Sequence, residues 1–166
     1  MQERTLDLLI IGGGITGAGV ALQAAASGLE TGLIEMQDFA EGTSSRSTKL
    51  VHGGLRYLKQ FDVEVVSDTV SERAVVQQIA PHIPKPDPML LPVYEEEGAT
   101  FSLFRLKVAM DLYDLLAGVN NTPAANKVLS KEEVLEREPE LKKEGLVGGG
   151  VYLDFRNNDA RLVIEN

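Results

Sequence analysis

The sequence contains no cysteine and no tryptophan, two histidines, five phenylalanines and four tyrosines in 166 residues. Without cysteine there is no disulfide, no thiol nucleophile and no thiolate metal site, a composition that fits a reducing compartment and a cytoplasmic location. The two histidines, His52 and His82, sit in different contexts with no carboxylate cluster between them, so no metal site is expected. So few aromatics leave no platform on which bases could stack. Cations are also scarce: 16 Lys and Arg against 25 Asp and Glu give a net charge of −9. A surface that is negative on average repels nucleic acid and anionic membranes, so any bound anion must meet a local positive site. Long apolar runs are missing too. The run Leu6–Ile11, interrupted by Asp7, falls far short of the ~20 residues that span a bilayer, so no transmembrane segment is expected.

What remains is the composition of a globular chain, 43% hydrophobic and 25% charged, long enough for one core or for one domain and part of another. Leu6–Ile11 reads as a strand buried on both faces and stops at three glycines. Small and apolar residues from Ile15 to Ala26 predict a helix that ends before Gly28, and Thr31–Glu35 predicts a second strand. Strand, glycine turn, helix and strand form a βαβ unit, which predicts an α/β fold of Rossmann type with a parallel sheet.

Further on, Val63, Val66, Val70 and Ala74 predict a helix over 62–80, closed by Pro81. The stretch PHIPKPDPMLLP at 81–92 carries five prolines and predicts an extended connector or edge strand. Phe101, Phe104, Val108, Leu112 and Leu115 predict an amphipathic helix stopped by Gly118. Ser130 and Glu133 have capping-box spacing for a short helix, Leu146–Phe155 reads as a strand, and Asn158 can cap a last helix beginning near Asp159. That helix leaves Leu162, Val163 and Ile164 without partners, and the chain is expected to be a cut piece. We see no internal repeat. The organisation expected is a Rossmann-type core over 1–80, part of an interleaved α+β second domain over 81–155 with an antiparallel or mixed sheet, and the start of a truncated helix over 156–166.

Gly12-Gly13-Gly14-Ile15-Thr16-Gly17 fits G-x-G-x-x-G directly after a strand and at the start of a helix. The glycines allow a tight turn, close approach of a pyrophosphate and close helix packing, and the diphosphate would sit on free N–H groups at the helix start. Glu35 lies 18 residues beyond Gly17, where a carboxylate can accept from a ribose diol and disfavours a 2′-phosphate, which argues against NADP. A plain turn and a solvated strand end would explain the same residues less completely. The pattern leaves FAD and NAD both open.

The run TSSRSTKLVHGGLRYL at 43–58 gathers hydroxyls, cations and one histidine around a Gly-Gly pair. Its blocks TSS, KL and HGGLRYL, with Asn158-Asp159-Ala160-Arg161-Leu162 near the end, resemble the FAD-dependent glycerol-3-phosphate dehydrogenases and oxidases, and most of all the bacterial α-glycerophosphate oxidases among them. The resemblance implies a flavoprotein several times longer than this chain. Such an enzyme oxidises sn-glycerol 3-phosphate to dihydroxyacetone phosphate by hydride transfer to FAD and passes the electrons to O2, giving H2O2. A quinone-linked dehydrogenase is the alternative; an inactive nucleotide-binding fragment is another, since the remaining carboxy-terminal part would be needed. An amino-acid or polyol oxidase is a rival that HGGLRYL disfavours, and a homo-oligomer is left open.

By the same resemblance, Gly12, Gly13, Gly14, Gly17 and Glu35 hold the adenosine diphosphate half of FAD. Thr43, Ser44 and Ser45 bond the pyrophosphate and ribityl chain, and Lys49, Leu50 and His52 lie against the flavin. His52 serves as base or orients the substrate hydroxyl, Arg56 offers its planar fork to the substrate phosphate, and Tyr57 adds a hydroxyl donor. Plainer roles stand beside these: Ser44 or Ser45 as a helix cap, Lys49 as a solvated cation, His52 as a donor to a carbonyl. Arg46 is given no role, His82 is expected on the surface, and Asp159 and Arg161 are expected to anchor the last helix by a mutual ion pair.

Overall fold

Leu8–Ile11 (β1) pairs in parallel with Thr31–Ile34 (β2), in register from Leu8↔Thr31 to Ile11↔Ile34, and Ile15–Ala26 (α1) crosses between them. The expected βαβ unit is therefore present in this computed structural model, which describes residues 5–95, 102–119 and 122–165. The Gly12 N–H continues the ladder by donating to the Ile34 carbonyl at 2.8 Å. Gly17 brings the helix down onto the strand: a Cβ added there would lie 1.9 Å from the Gly12 carbonyl oxygen, so only glycine fits.

Burial on both faces does not follow. Ile11 is 82% and Leu9 51% exposed, because among the described residues β1 pairs with β2 alone and α1 leaves part of the pair uncovered.

After a 3-10 turn at Thr43–Ser45 come Leu50–Val51 (β3), a second 3-10 segment at Leu55–Gln60, Val63–Ile79 (α2) and Lys85–Tyr94 (β4). Leu103–Leu116 (α3), Lys127–Leu129 (β5), Lys131–Arg137 (α4), Leu146–Arg156 (β6) and Asp159–Glu165 (α5) complete the chain. The residues group into two compact units, one of 1–50, 79–85 and 156–166, the other of 51–78 and 86–155. The chain passes between them more than once, so this grouping and the division expected at residue 80 partition it differently.

In the first unit α5 packs on α1 and on the Thr43–Ser45 turn. Asn158 caps it as expected, its Oδ1 accepting the Arg161 N–H at 3.2 Å. The expected pair between Asp159 and Arg161 does not form. Positions two apart point to different sides of a helix, and Arg161 instead bonds Glu165 one turn on.

The second unit has the strand order β3-β6-β4, with β5 antiparallel to β6 in the register Leu129↔Gly149. β4 is terminal in that order, where the missing N–H groups of Pro86, Pro88 and Pro92 are tolerated. Ser130 and Glu133 form the predicted capping box at the start of α4. The main core joins Leu55, Leu58, Val66, Val70, Leu106, Met110 and Tyr113.

Two helices turn differently from their predicted faces. In α2 the stripe runs Val66, Val70, Arg73, and Ala74 is exposed. In α3 the buried face is Leu106, Met110 and Tyr113; of the predicted stripe Leu112 packs partly against that core, while Phe104, Val108 and Leu115 look outward, Phe104 being 78% exposed. α3 is apolar on more than one side, so periodicity alone did not single out the face. Phe101 lies outside the described residues.

Candidate cofactor and substrate sites

The glycine turn in the first unit is closed by two side chains from far along the chain. Ser44 Oγ accepts the Ile15 N–H at 2.9 Å, so it caps the start of α1 and not a helix of its own. The opposite wall is Glu35, whose Oε2 accepts from Gly13 N–H at 2.6 Å and whose Oε1 accepts from Met36 and Gln37 N–H at 2.6 and 3.0 Å. The Gly13 N–H above all, then those of Gln37 and Met36, hold the Glu35 carboxyl below the usual carboxylate range against a smaller opposing effect of burial. A carboxylate has about four lone-pair directions, so capacity remains for further donors.

Ser45 Oγ donates to the Ala40 carbonyl at 2.5 Å, and Thr43 opens the 3-10 turn with its side chain exposed. Lys49 is tied down. Its Nζ donates to the Ser45 carbonyl and lies 3.3 Å from Asp159 Oδ2, which also accepts from Ser47 Oγ. Lys49 itself has φ of 61°, and its carbonyl accepts the Asn157 N–H at 2.9 Å. Leu50, at the start of β3, is partly buried. Arg46 is engaged on the surface with Glu41, and His82 is paired with Glu165 on the surface.

In the second unit His52, Arg56 and Tyr57 stand exposed on one short segment, while Gly53, Gly54, Leu55 and Leu58 between and beyond them are buried. A row of exposed polar side chains is thus carried on a backbone sunk into the core. The residues that hold that backbone escaped the sequence reading. Tyr113 Oη accepts the Gly53 N–H at 3.0 Å and Arg73 Nη1–H at 2.7 Å, and it faces Asp154 Oδ1 at 3.3 Å. Arg73 and Asp154 form an ion pair at 2.8 Å with side chains 5% and 2% exposed. The Arg73 guanidinium also lies over the rings of Phe155 and Tyr113, 4.7 and 5.5 Å from their centroids. Burial pushes the Asp154 carboxyl upward against the pull of Arg73, and burial raises the Tyr113 hydroxyl strongly and that of Tyr152 to about 12. An arginine falling three residues after Val70 on a buried stripe was the available signal.

Among the described residues no group of three or more His, Asp or Glu could hold a metal ion. Nor is any helix among them long and apolar enough to cross a membrane.

A parallel βαβ unit with a glycine turn, an acid closing its second strand and a capped helix start defines a dinucleotide-binding fold. Residues 7–166 match the FAD dependent oxidoreductase family, and the chain belongs to that family. It is 95% identical over 166 residues to the α-glycerophosphate oxidase of Streptococcus pneumoniae serotype 4, covering all of this chain and 27% of that protein. To the α-glycerophosphate oxidase of Enterococcus casseliflavus it is 78% identical over 164 residues, again covering 27% of that protein. Among solved structures, the glycerol-3-phosphate dehydrogenase from Bacillus halodurans complexed with FAD is similar at a TM-score of 0.66 and 42% identity, covering 99% of this chain and 24% of that one. The chain thus spans about a quarter of the length of the curated relatives it matches. The resemblance read from HGGLRYL and its flanking blocks is confirmed.

The residues present fit FAD. Gly14 lets the Ser44 hydroxyl come close to the start of α1, since a Cβ there would lie 2.9 Å from Ser44 Oγ. The first-turn N–H groups of a helix have no partners within it, and here the Glu35 charge is held in place beside them.

Proposed function

We propose that the full-length protein is a flavoenzyme that oxidises sn-glycerol 3-phosphate at C2 to dihydroxyacetone phosphate and uses O2 as acceptor, forming H2O2. The observation that carries this reading is the 95% identity, over every residue of the chain, to an α-glycerophosphate oxidase, with His52, Arg56 and Tyr57 held together on one anchored segment. FAD, when bound, supplies an acceptor for the two electrons that leave C2. Gly12, Gly13, Gly14 and Gly17 hold its diphosphate on the α1 N–H groups, Glu35 takes the ribose, and Thr43, Ser44 and Ser45 add hydroxyls without charge. Lys49 and Leu50 lie toward the flavin, and the salt link to Asp159 limits how far the Lys49 ammonium can move.

His52 removes or orients the proton of the C2 hydroxyl, Arg56 takes the phosphate through two parallel N–H donors, and Tyr57 donates to the same group. Residues 1–80 supply the cofactor core and 81–155 the beginning of the substrate domain. The full protein is cytoplasmic, a location that the cysteine-free composition of these residues supports.

A second reading, a quinone-linked dehydrogenase, is favoured by the likeness to the Bacillus halodurans dehydrogenase. One experiment separates the two. The intact protein is expected to be yellow, to bleach with glycerol 3-phosphate under nitrogen, and to regain its colour in air with one H2O2 per flavin. Recovery only with a quinone would establish the dehydrogenase, and a colourless protein that binds NAD would overturn both.

A further inference from the structure

The exposed His52 ring feels Asp154 through space, and no side-chain hydrogen bond among the described residues holds it, so its place depends chiefly on its backbone. The next residue, Gly53, is gripped on both polar groups. Its N–H donates to Tyr113 Oη at 3.0 Å, and its carbonyl lies 3.0 Å from Thr69 Oγ1, whose proton is shared with the Val65 carbonyl of the same helix. The approach is too close for any side chain at 53: an added Cβ would lie 2.4 Å from Tyr113 Oη and 2.5 Å from Val70 Cγ2. A tyrosine hydroxyl has one proton and two acceptor directions. Here Gly53 and Arg73 take the acceptor directions and Asp154 faces the proton, so the hydroxyl has one orientation.

Stability does not account for this arrangement. An ion pair as deeply buried as Arg73 and Asp154 is commonly matched or bettered by apolar residues of the same size. What an apolar trio could not do is accept the Gly53 N–H. We propose that Tyr113, oriented by Arg73 and Asp154, is a positioning residue for the reaction, and that through Gly53 it sets where the His52 imidazole meets the substrate. The proposal rests on the reading of His52 as the group that handles the substrate proton. Three elements, α2, α3 and β6, each contribute one member, so the segment is referenced to the core and not to the loop around it.

The test uses the full-length, flavin-loaded protein and Tyr113→Phe, which keeps the ring and its edge-on contact with Tyr152 and removes only the hydroxyl. Amide hydrogen exchange over residues 51–58 is expected to rise about tenfold or more, and the limiting rate of anaerobic flavin reduction to fall about tenfold. KM and flavin content should change less than twofold. The double variant with His52→Gln should be no slower than His52→Gln alone, because both changes act through one group. Unchanged exchange, a wild-type reduction rate, or fully additive losses would each overturn the proposal. If glycerol 3-phosphate does not reduce the wild-type flavin, the functional reading fails, and the exchange measurement still decides whether Tyr113 anchors the segment. Arg73→Lys carries the same comparison should Tyr113→Phe yield no folded protein.

Discussion

Ser44 Oγ accepts the N–H of Ile15 at 2.9 Å, joining a residue of the 3-10 turn to the first residue of α1 across 29 positions of sequence. In the function proposed above the same hydroxyl, besides capping α1, also meets the diphosphate. Ser44→Ala should weaken FAD binding to the apo form of the full-length protein about tenfold, the value of one such hydrogen bond, and lower stability by about 1 kcal/mol. Titration of flavin by fluorescence quenching and a denaturant midpoint measure the two effects.

Glu35 gives the protein a specific sensitivity to acid. Its folded pKa lies below the ordinary 4.5 because backbone N–H groups bond the charged form. The stability it contributes is present above the ordinary carboxylate pKa and is lost as pH falls through the lower, folded value. Glu35→Gln should therefore remove part of the acid dependence seen below about pH 4.5, and flavin retention should become less dependent on pH in the same range. Denaturant midpoints collected from neutral pH downward for both proteins make the comparison.

The buried pair in the second unit should respond to single and double changes in opposite ways. Asp154→Leu or Arg73→Met alone strands a charge in the core and should cost about 3–5 kcal/mol. The double variant leaves no charge behind and should recover most of that loss, although the Gly53 N–H tether would still lack its oriented acceptor. Chemical denaturation of the four proteins completes the cycle.

Arg56 and His52 should separate binding from chemistry. Arg56→Ala is expected to raise KM for glycerol 3-phosphate about a hundredfold, with flavin content unchanged, as loss of a bidentate phosphate contact would. His52→Gln is expected to slow flavin reduction at least a hundredfold while FAD stays bound. Stopped-flow reduction across substrate concentrations distinguishes the two patterns.

Much of the local structure was legible because local chemistry determines it. The glycine spacing, the strand before it, the capping residue Asn158 and the capping box at Ser130 each act over a few residues, and each appears where expected. The partners of the charged side chains were not legible. Asp159 was matched to Arg161 by proximity in sequence, but it meets Lys49 and Ser47, more than a hundred residues away, and no local rule anticipates that. The faces of α2 and α3 were misread for a related reason. A helix with apolar residues on several sides, or with an arginine on its buried side, does not reveal its orientation until its neighbours are known. Arg73, Tyr113 and Asp154 are far apart in sequence and carry no motif, so only the fold makes them a group.

The link from Ser47 to Asp159 also has a consequence in time. The two residues are separated by 112 positions, and α5 packs on the turn that Ser47 follows. Translation at roughly 5–20 residues per second takes about 6–22 seconds to cover that interval. Throughout it the residues of the glycine turn, β1 and β2 exist without those of α5, the helix that packs on α1 and the Thr43–Ser45 turn. The unit that begins at the amino terminus therefore waits for residues 156–166 until after the whole of 51–155 has been made, and a ribosome stalled between Lys49 and Asn158 would carry the glycine turn without α5.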